Sequence, residues 1–124
     1  DWGHAMDYVE AMWKILQQKK PDDYVIATGK QYSIRVFTNL VCKKLGFDLS
    51  WKGKGINEKG LINSGKKPII ELDKKYFRPL DVNTLLGNAS KARKRLKWKP
   101  KYNFKKLVED MVRADLEFVE KEGY

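Results

Sequence analysis

The sequence predicts a small α/β fold, on three observations. Tyr24-Val25-Ile26-Ala27-Thr28 is a short, largely apolar run closed by Gly29, the pattern of a strand buried on both faces in a parallel sheet. Before it, apolar residues recur at helical spacing at Tyr8, Val9, Met12, Trp13, Ile15 and Leu16. After it they recur at Ile34, Val36, Phe37, Leu40, Val41 and Leu45, again with the period of a helix. Strand, glycine, loop and helix make half of a βαβ unit. A partner strand for 24–28 is not apparent in the chain.

The elements follow in order. The first helix is expected to take Asp7 as its N-cap and to end near Lys19-Lys20, ahead of Pro21. Ser33 is expected to cap the second helix and Gly46 to stop it. Leu49-Ser50-Trp51 reads as the start of a strand, followed by a glycine- and lysine-rich loop or loose hairpin over 52–67. That stretch lacks the Gly-Lys-Ser/Thr ending of a P-loop. Pro68–Leu72 reads as a short edge strand. Asn88 is expected to cap a short basic helix ending near Leu96, and Asn103 the last helix, whose apolar stripe is Phe104, Leu107, Val108, Met111, Val112 and Val119. Glu117 and Lys121 are spaced as an i,i+4 pair.

Composition narrows the chemistry. The chain has 124 residues, 42% of them apolar, with four tryptophans, which fits one folded domain. It contains no apolar run of membrane-spanning length and no signal-peptide pattern. Cys42 is the only cysteine and His4 the only histidine, so neither a disulfide framework nor a cysteine or multi-histidine metal site is expected. A cytoplasmic setting follows as the expectation. The opening Asp1-Trp2-Gly3-His4 has no initiator methionine and reads as the start of a fragment. The net charge of +10 favours an anionic partner.

Lys75-Tyr76-Phe77-Arg78-Pro79-Leu80-Asp81-Val82 is the segment most suggestive of binding. Pro79 restricts the backbone of Arg78, presenting a guanidinium fork suited to phosphate oxygens. Asp81 can accept hydrogen bonds from sugar hydroxyls. Arg35 falls in the first turn of the second helix, where a cation is mildly unfavourable unless an anion binds at the same helix start.

Asp1-Trp2-Gly3-His4-Ala5, Asp7-Tyr8-Val9-Glu10-Ala11-Met12-Trp13, Asp22–Gly29, Ser33-Ile34-Arg35, Tyr76-Phe77-Arg78-Pro79, Leu85-Leu86-Gly87, Lys91-Ala92 and Trp98-Lys99-Pro100 together resemble the C-terminal portion of GDP-mannose 4,6-dehydratases. These are extended short-chain dehydrogenase/reductases acting on sugar nucleotides. The resemblance implies the edge of a Rossmann-type sheet plus a small α/β substrate-binding domain, incomplete without an N-terminal half. Residues 1–46 would complete the cofactor domain, and 47–124 would form the substrate domain. It further implies conversion of GDP-mannose to the 4-keto-6-deoxy sugar, with NADP held by the complete enzyme and not retained by this chain alone. Arg35 and Arg78 would contact the pyrophosphate, and Asp81 the ribose. Lys97 stands where the family typically has glycine.

The resemblance places the catalytic Thr, Glu and Tyr-x-x-x-Lys residues upstream, so no catalytic residue is assigned here and the chain alone is expected to be inactive. Tyr102 and Lys106 have the Tyr-x-x-x-Lys spacing, but Tyr102 precedes the expected cap Asn103 and is not assigned catalysis. The expected partners are a nucleotide sugar and the N-terminal cofactor-binding half, with a homo-oligomer left open. The rival readings are another nucleotide-sugar epimerase or dehydratase, and a basic nucleic-acid-binding module. The last rests on nine Lys or Arg in residues 91–106 with Trp98 and Tyr102 among them, and lacks any recognised nucleic-acid signature.

Overall fold

The computed structural model describes residues 1–78, 80, 82 and 84–123. Its elements run α1 (Ala5–Leu16), α2 (Ile34–Lys44), β1 (Leu49–Lys52), β2 (Lys59–Ile62), β3 (Ile70–Glu71), α3 (Ser90–Arg95) and α4 (Phe104–Glu122). The fold is mixed α/β, and its three strands form an antiparallel sheet in the order β1-β2-β3. The chain divides into two compact units, residues 1–33 with 84–124, and residues 34–83.

The first unit is built around a small-residue seam. Ala11 of α1, Ala27, Ala89, Ala92, Leu96 and Trp98 form one buried cluster, with Tyr8, Ile15, Tyr24 and Ile26 packed against it. Alanines permit close approach, and Gly87 makes the approach closer still. A Cβ on Gly87 would stand 2.3 Å from the Ala27 Cβ, well inside van der Waals contact. Trp98 is 1% exposed. Its indole N–H donates to the Asp7 carbonyl at 2.8 Å, satisfying the polar end of the ring.

Helix α1 starts one turn earlier than the sequence pattern suggests, which moves Asp7 from cap to interior. His4 is the N-cap, its Nδ1 accepting the Met6 N–H at 3.1 Å. The Asp7 side chain, 2% exposed, instead accepts the backbone N–H groups of Lys101 and Tyr102 at 3.0 and 3.1 Å. A short acid serves either role, and a distant segment with unpaired amides decides between them. The helix ends at Leu16 with Gln17 as its C-cap, short of the expected Lys19-Lys20. His4 Nε2 also meets the Asp110 carboxylate at 3.0 Å, and its ring stacks on Tyr102 at 3.8 Å between centroids. His4 is thus a structural residue.

The run Tyr24–Thr28 forms no strand among the described residues. Only Ala27 is buried, and Val25 is 53% exposed, so burial on both faces is not realised. Strand structure needs a hydrogen-bonded neighbour, and the three strands present belong to a different part of the chain. Gly29 closes the run with φ +77°.

Helix α3 begins one residue later than expected, after Ala89, and the Asn88 carboxamide accepts the Ser90 N–H at 3.0 Å. Asn103 caps α4 as expected, accepting the Lys106 N–H at 2.9 Å. Phe104, Leu107, Val108 and Val112 are buried, whereas Met111 and Val119 of the expected stripe are exposed. The partner given to Glu117 is Arg113, at 2.9 Å. Tyr102 precedes the helix, so the Tyr102–Lys106 spacing has no helical meaning.

The second unit is a helix followed by the antiparallel meander. Leu49 pairs with Ile62 and Lys52 with Lys59 across β1 and β2, while Gly60 pairs with Ile70 on β3. The 52–67 stretch is therefore a hairpin containing a real second strand, with a one-turn 3₁₀ helix over Gly55–Asn57. The edge position expected for 68–72 is found, since β3 ends the sheet order. On α2, Cys42 is buried, and burial raises its thiol pKa. Ile34 and Val36, expected on the buried face, are exposed. Gly46, at φ +78°, follows the helix end, where the Phe47 N–H bonds the Cys42 carbonyl at 2.8 Å; this is the stop foreseen.

Candidate nucleotide-diphosphate site

Arg35 occupies the first turn of α2. Its guanidinium Nη2 donates to the Glu58 carboxylate, and its Cζ lies 4.4 Å from the centre of the Trp51 ring. The Trp51 indole N–H donates to Asn39 Oδ1 at 2.9 Å. Residues from α2, β1 and the link into β2 therefore converge on one cation. The Arg35 side chain keeps 44% of its surface exposed, so it is oriented and still reachable.

Arg78 lies in the same compact unit and is exposed. It follows the 3₁₀ turn Lys74–Tyr76, which Asp73 caps by accepting the Lys75 N–H at 2.9 Å. Tyr76 and Phe77 are exposed beside it. Asp81, the third expected site residue, lies outside the described residues, as does Pro79.

Sequence reasoning missed Trp51, Glu58 and Asn39 as neighbours of Arg35. One signal was available: Glu58 is the only acid in residues 52–67. A lone carboxylate among lysines and glycines is a natural partner for a cation elsewhere in the fold.

A family model for GDP-mannose 4,6 dehydratase matches residues 1–111. The chain belongs to the GDP-mannose 4,6-dehydratase family. It is 52% identical over 120 residues to GDP-mannose 4,6 dehydratase 2 of Caenorhabditis elegans, covering 97% of this chain and 31% of that protein. It is 49% identical to GDP-mannose 4,6 dehydratase of Drosophila melanogaster over 98% of this chain and 31% of the relative. For the Homo sapiens protein of that name the identity is 45%, over 96% of this chain and 32% of the relative. The chain thus spans about a third of the length of these relatives.

Other polar groups make contacts within the chain. The turn closed by Gly29 directs the Thr28 and Gly29 N–H groups onto the Asp1 carboxylate, both at 2.8 Å. Those amides are engaged within the chain. In the basic 91–106 segment, Lys91 and Arg95 pair with Asp22 at 2.5 and 3.2 Å, and Lys101 pairs with Glu10 at 2.5 Å. Arg93 donates to the Thr28 carbonyl at 3.0 Å. Lys91 foremost holds the Asp22 carboxyl below the usual carboxylate range, and Lys101 foremost does the same for Glu10. Lys91, Arg93, Arg95 and Lys101 of this segment are thus engaged within the chain, and it is the family match that disfavours the nucleic-acid reading. Among the described residues no cluster of His, Cys, Asp and Glu could hold a metal ion, and no helix is long and apolar enough to cross a membrane.

Proposed function

We propose that this chain is the GDP-sugar-binding part of a GDP-mannose 4,6-dehydratase, which converts GDP-mannose to GDP-4-keto-6-deoxymannose. The observation carrying the proposal is the family match over residues 1–111, which contains both arginines. The placement of Arg35 in the first turn of α2 supports it, because a guanidinium and the positive end of a helix dipole favour the same anion. In this reading Arg35 and Arg78 grip the pyrophosphate and Asp81 accepts from the ribose. The fork of an arginine matches phosphate oxygens in two parallel bonds, which a lysine cannot supply.

Hydride exchange with NADP belongs to a cofactor-binding half outside these residues. The N-terminal half is also the partner we assign. Helix α1 is apolar on two sides: Ala11 is buried, while Met6, Val9, Met12, Trp13 and Leu16 are exposed. A helix that leaves large apolar side chains exposed beyond its own core offers a surface for a second layer. Residues 1–46 would then complete the edge of a Rossmann-type cofactor domain, and 47–124 the substrate domain, in a cytoplasmic enzyme. We expect the 124-residue chain alone to bind GDP, not to retain NADP, and to produce no 4-keto sugar.

An NMR titration tests the site. GDP should shift the amides around Arg35 and Arg78 before those of 91–106. A short single-stranded oligonucleotide that binds tightly with steep salt dependence, while GDP has no effect, would establish the nucleic-acid module instead.

A further inference from the structure

Arg35 has neighbours that a merely solvated arginine does not need. Its guanidinium lies over the Trp51 ring, and Nη2 is bonded to Glu58. Trp51 is itself fixed, since its N–H donates to Asn39 on the next turn of α2. Resting on the nucleotide-diphosphate reading of this site, we propose that Trp51 is a positioning residue, which with Asn39 and Glu58 holds the Arg35 guanidinium in a fixed plane for the diphosphate.

The physical basis is pre-organisation. A free arginine at a helix start samples many rotamers, and binding must freeze them. The aromatic face attracts the cation and fixes its plane. Glu58 offsets the repulsion between the guanidinium and the positive helix end. It engages the group through Nη2, while 44% of the side chain stays open to a ligand. The Trp51–Asn39 bond keeps the indole from rotating away. The unit responsible is local to residues 34–83, so the holding is a property of this chain before any ligand arrives.

The test uses the whole 124-residue chain with GDP as the probe. Side-chain ¹⁵N relaxation at Arg35 Nε reports its mobility without ligand, and calorimetry reports GDP affinity. Trp51→Phe keeps a ring face but lacks the N–H that Asn39 holds, so it should loosen Arg35 only partially, as Asn39→Ala does, with a GDP affinity between those of the original and Trp51→Leu. Trp51→Leu removes the face, and should mobilise Arg35 and weaken GDP roughly three- to thirtyfold, the range of a cation–π contact. Asn39→Ala, at an exposed position, keeps the indole but frees it to rotate, and should loosen Arg35 partially, even if the leucine variant disturbs β1. Partial rescue by phenylalanine separates positioning from mere stability of the strand. If the original chain binds GDP and Trp51→Leu binds it equally, or Arg35 stays equally rigid there, the positioning role is overturned and the site reading stands. If the original chain does not bind GDP, the site reading fails and the positioning role fails with it.

Discussion

The two compact units have opposite characters. In residues 1–33 with 84–124, a seam of alanines, Leu96 and Trp98 is continuous, and a buried carboxylate ties α1 to the segment before α4. Among the described residues of 34–83 the buried apolar side chains are Cys42 and Leu61, and the unit depends on hairpin hydrogen bonds and glycine turns. The difference teaches where function can be afforded. The expected ligand contacts, Arg35 and Arg78, are in the loosely packed unit, where an oriented yet exposed cation is compatible with the local packing. The densely packed unit pairs Lys91, Arg95 and Lys101 of its basic segment with its own carboxylates.

The sharpest way to break this comparison is Trp98→Ala. Removing the largest buried side chain should cost about 3–5 kcal/mol, seen as a lower urea midpoint and faster hydrogen exchange in α1, α3 and α4. Leu61→Ala should cost less, about 2 kcal/mol at the low end for such truncations, with faster exchange confined to β1–β3. Equal spreading of both effects through the whole chain would show that the units are not separately stabilised.

Asp7→Ala comes next. It leaves the Lys101 and Tyr102 N–H groups without their acceptor, at about 1–3 kcal/mol for each group that stays buried. Thermal denaturation measures the sum. A loss below about 0.5 kcal/mol would mean that water replaces the carboxylate and that the tie is weak.

Acidification should act mainly on the first unit. Asp22, Glu10 and Asp110 all have carboxyls held below the usual range, by Lys91, Lys101 and His4 foremost. A carboxylate depressed in the folded state contributes stability above its unfolded pKa and loses it as pH falls through the folded value. Stability should therefore hold above about pH 5 and decline below about pH 4, as followed by circular dichroism. Double replacement Asp22→Asn with Glu10→Gln should flatten that decline.

The smallest expected effect is a gain. Lys97 adopts φ +52°, a left-handed conformation that disfavours side chains. Lys97→Gly should stabilise the first unit by up to about 1 kcal/mol, partly offset by the greater freedom of glycine when unfolded. An increase in Tm of a few degrees is the readout, and a decrease would mean that the side chain contributes packing that outweighs the strain.

Much of this chain was legible in its residues. The spacing at Tyr8–Leu16, the glycine at 46, the asparagine at 103 and the edge proline at 68 determined helices, stops and an edge strand, because those signals act through neighbouring backbone. The series from Asp1-Trp2-Gly3-His4 to Trp98-Lys99-Pro100 determined the family for the same reason: order and identity are properties of the sequence itself. What only the tertiary structure decided depends on partners distant in sequence. Asp7 reads as a cap until the amides 94 and 95 residues later are found bonded to its carboxylate. Tyr24–Thr28 reads as a strand, yet strand structure requires a hydrogen-bonded neighbour that the described fold does not place there. Arg35 reads as a cation at a helix start; that Trp51, Glu58 and Asn39 hold it emerges only when the hairpin folds back against α2, since cation–π and ion-pair contacts depend on distance in space rather than on spacing along the chain.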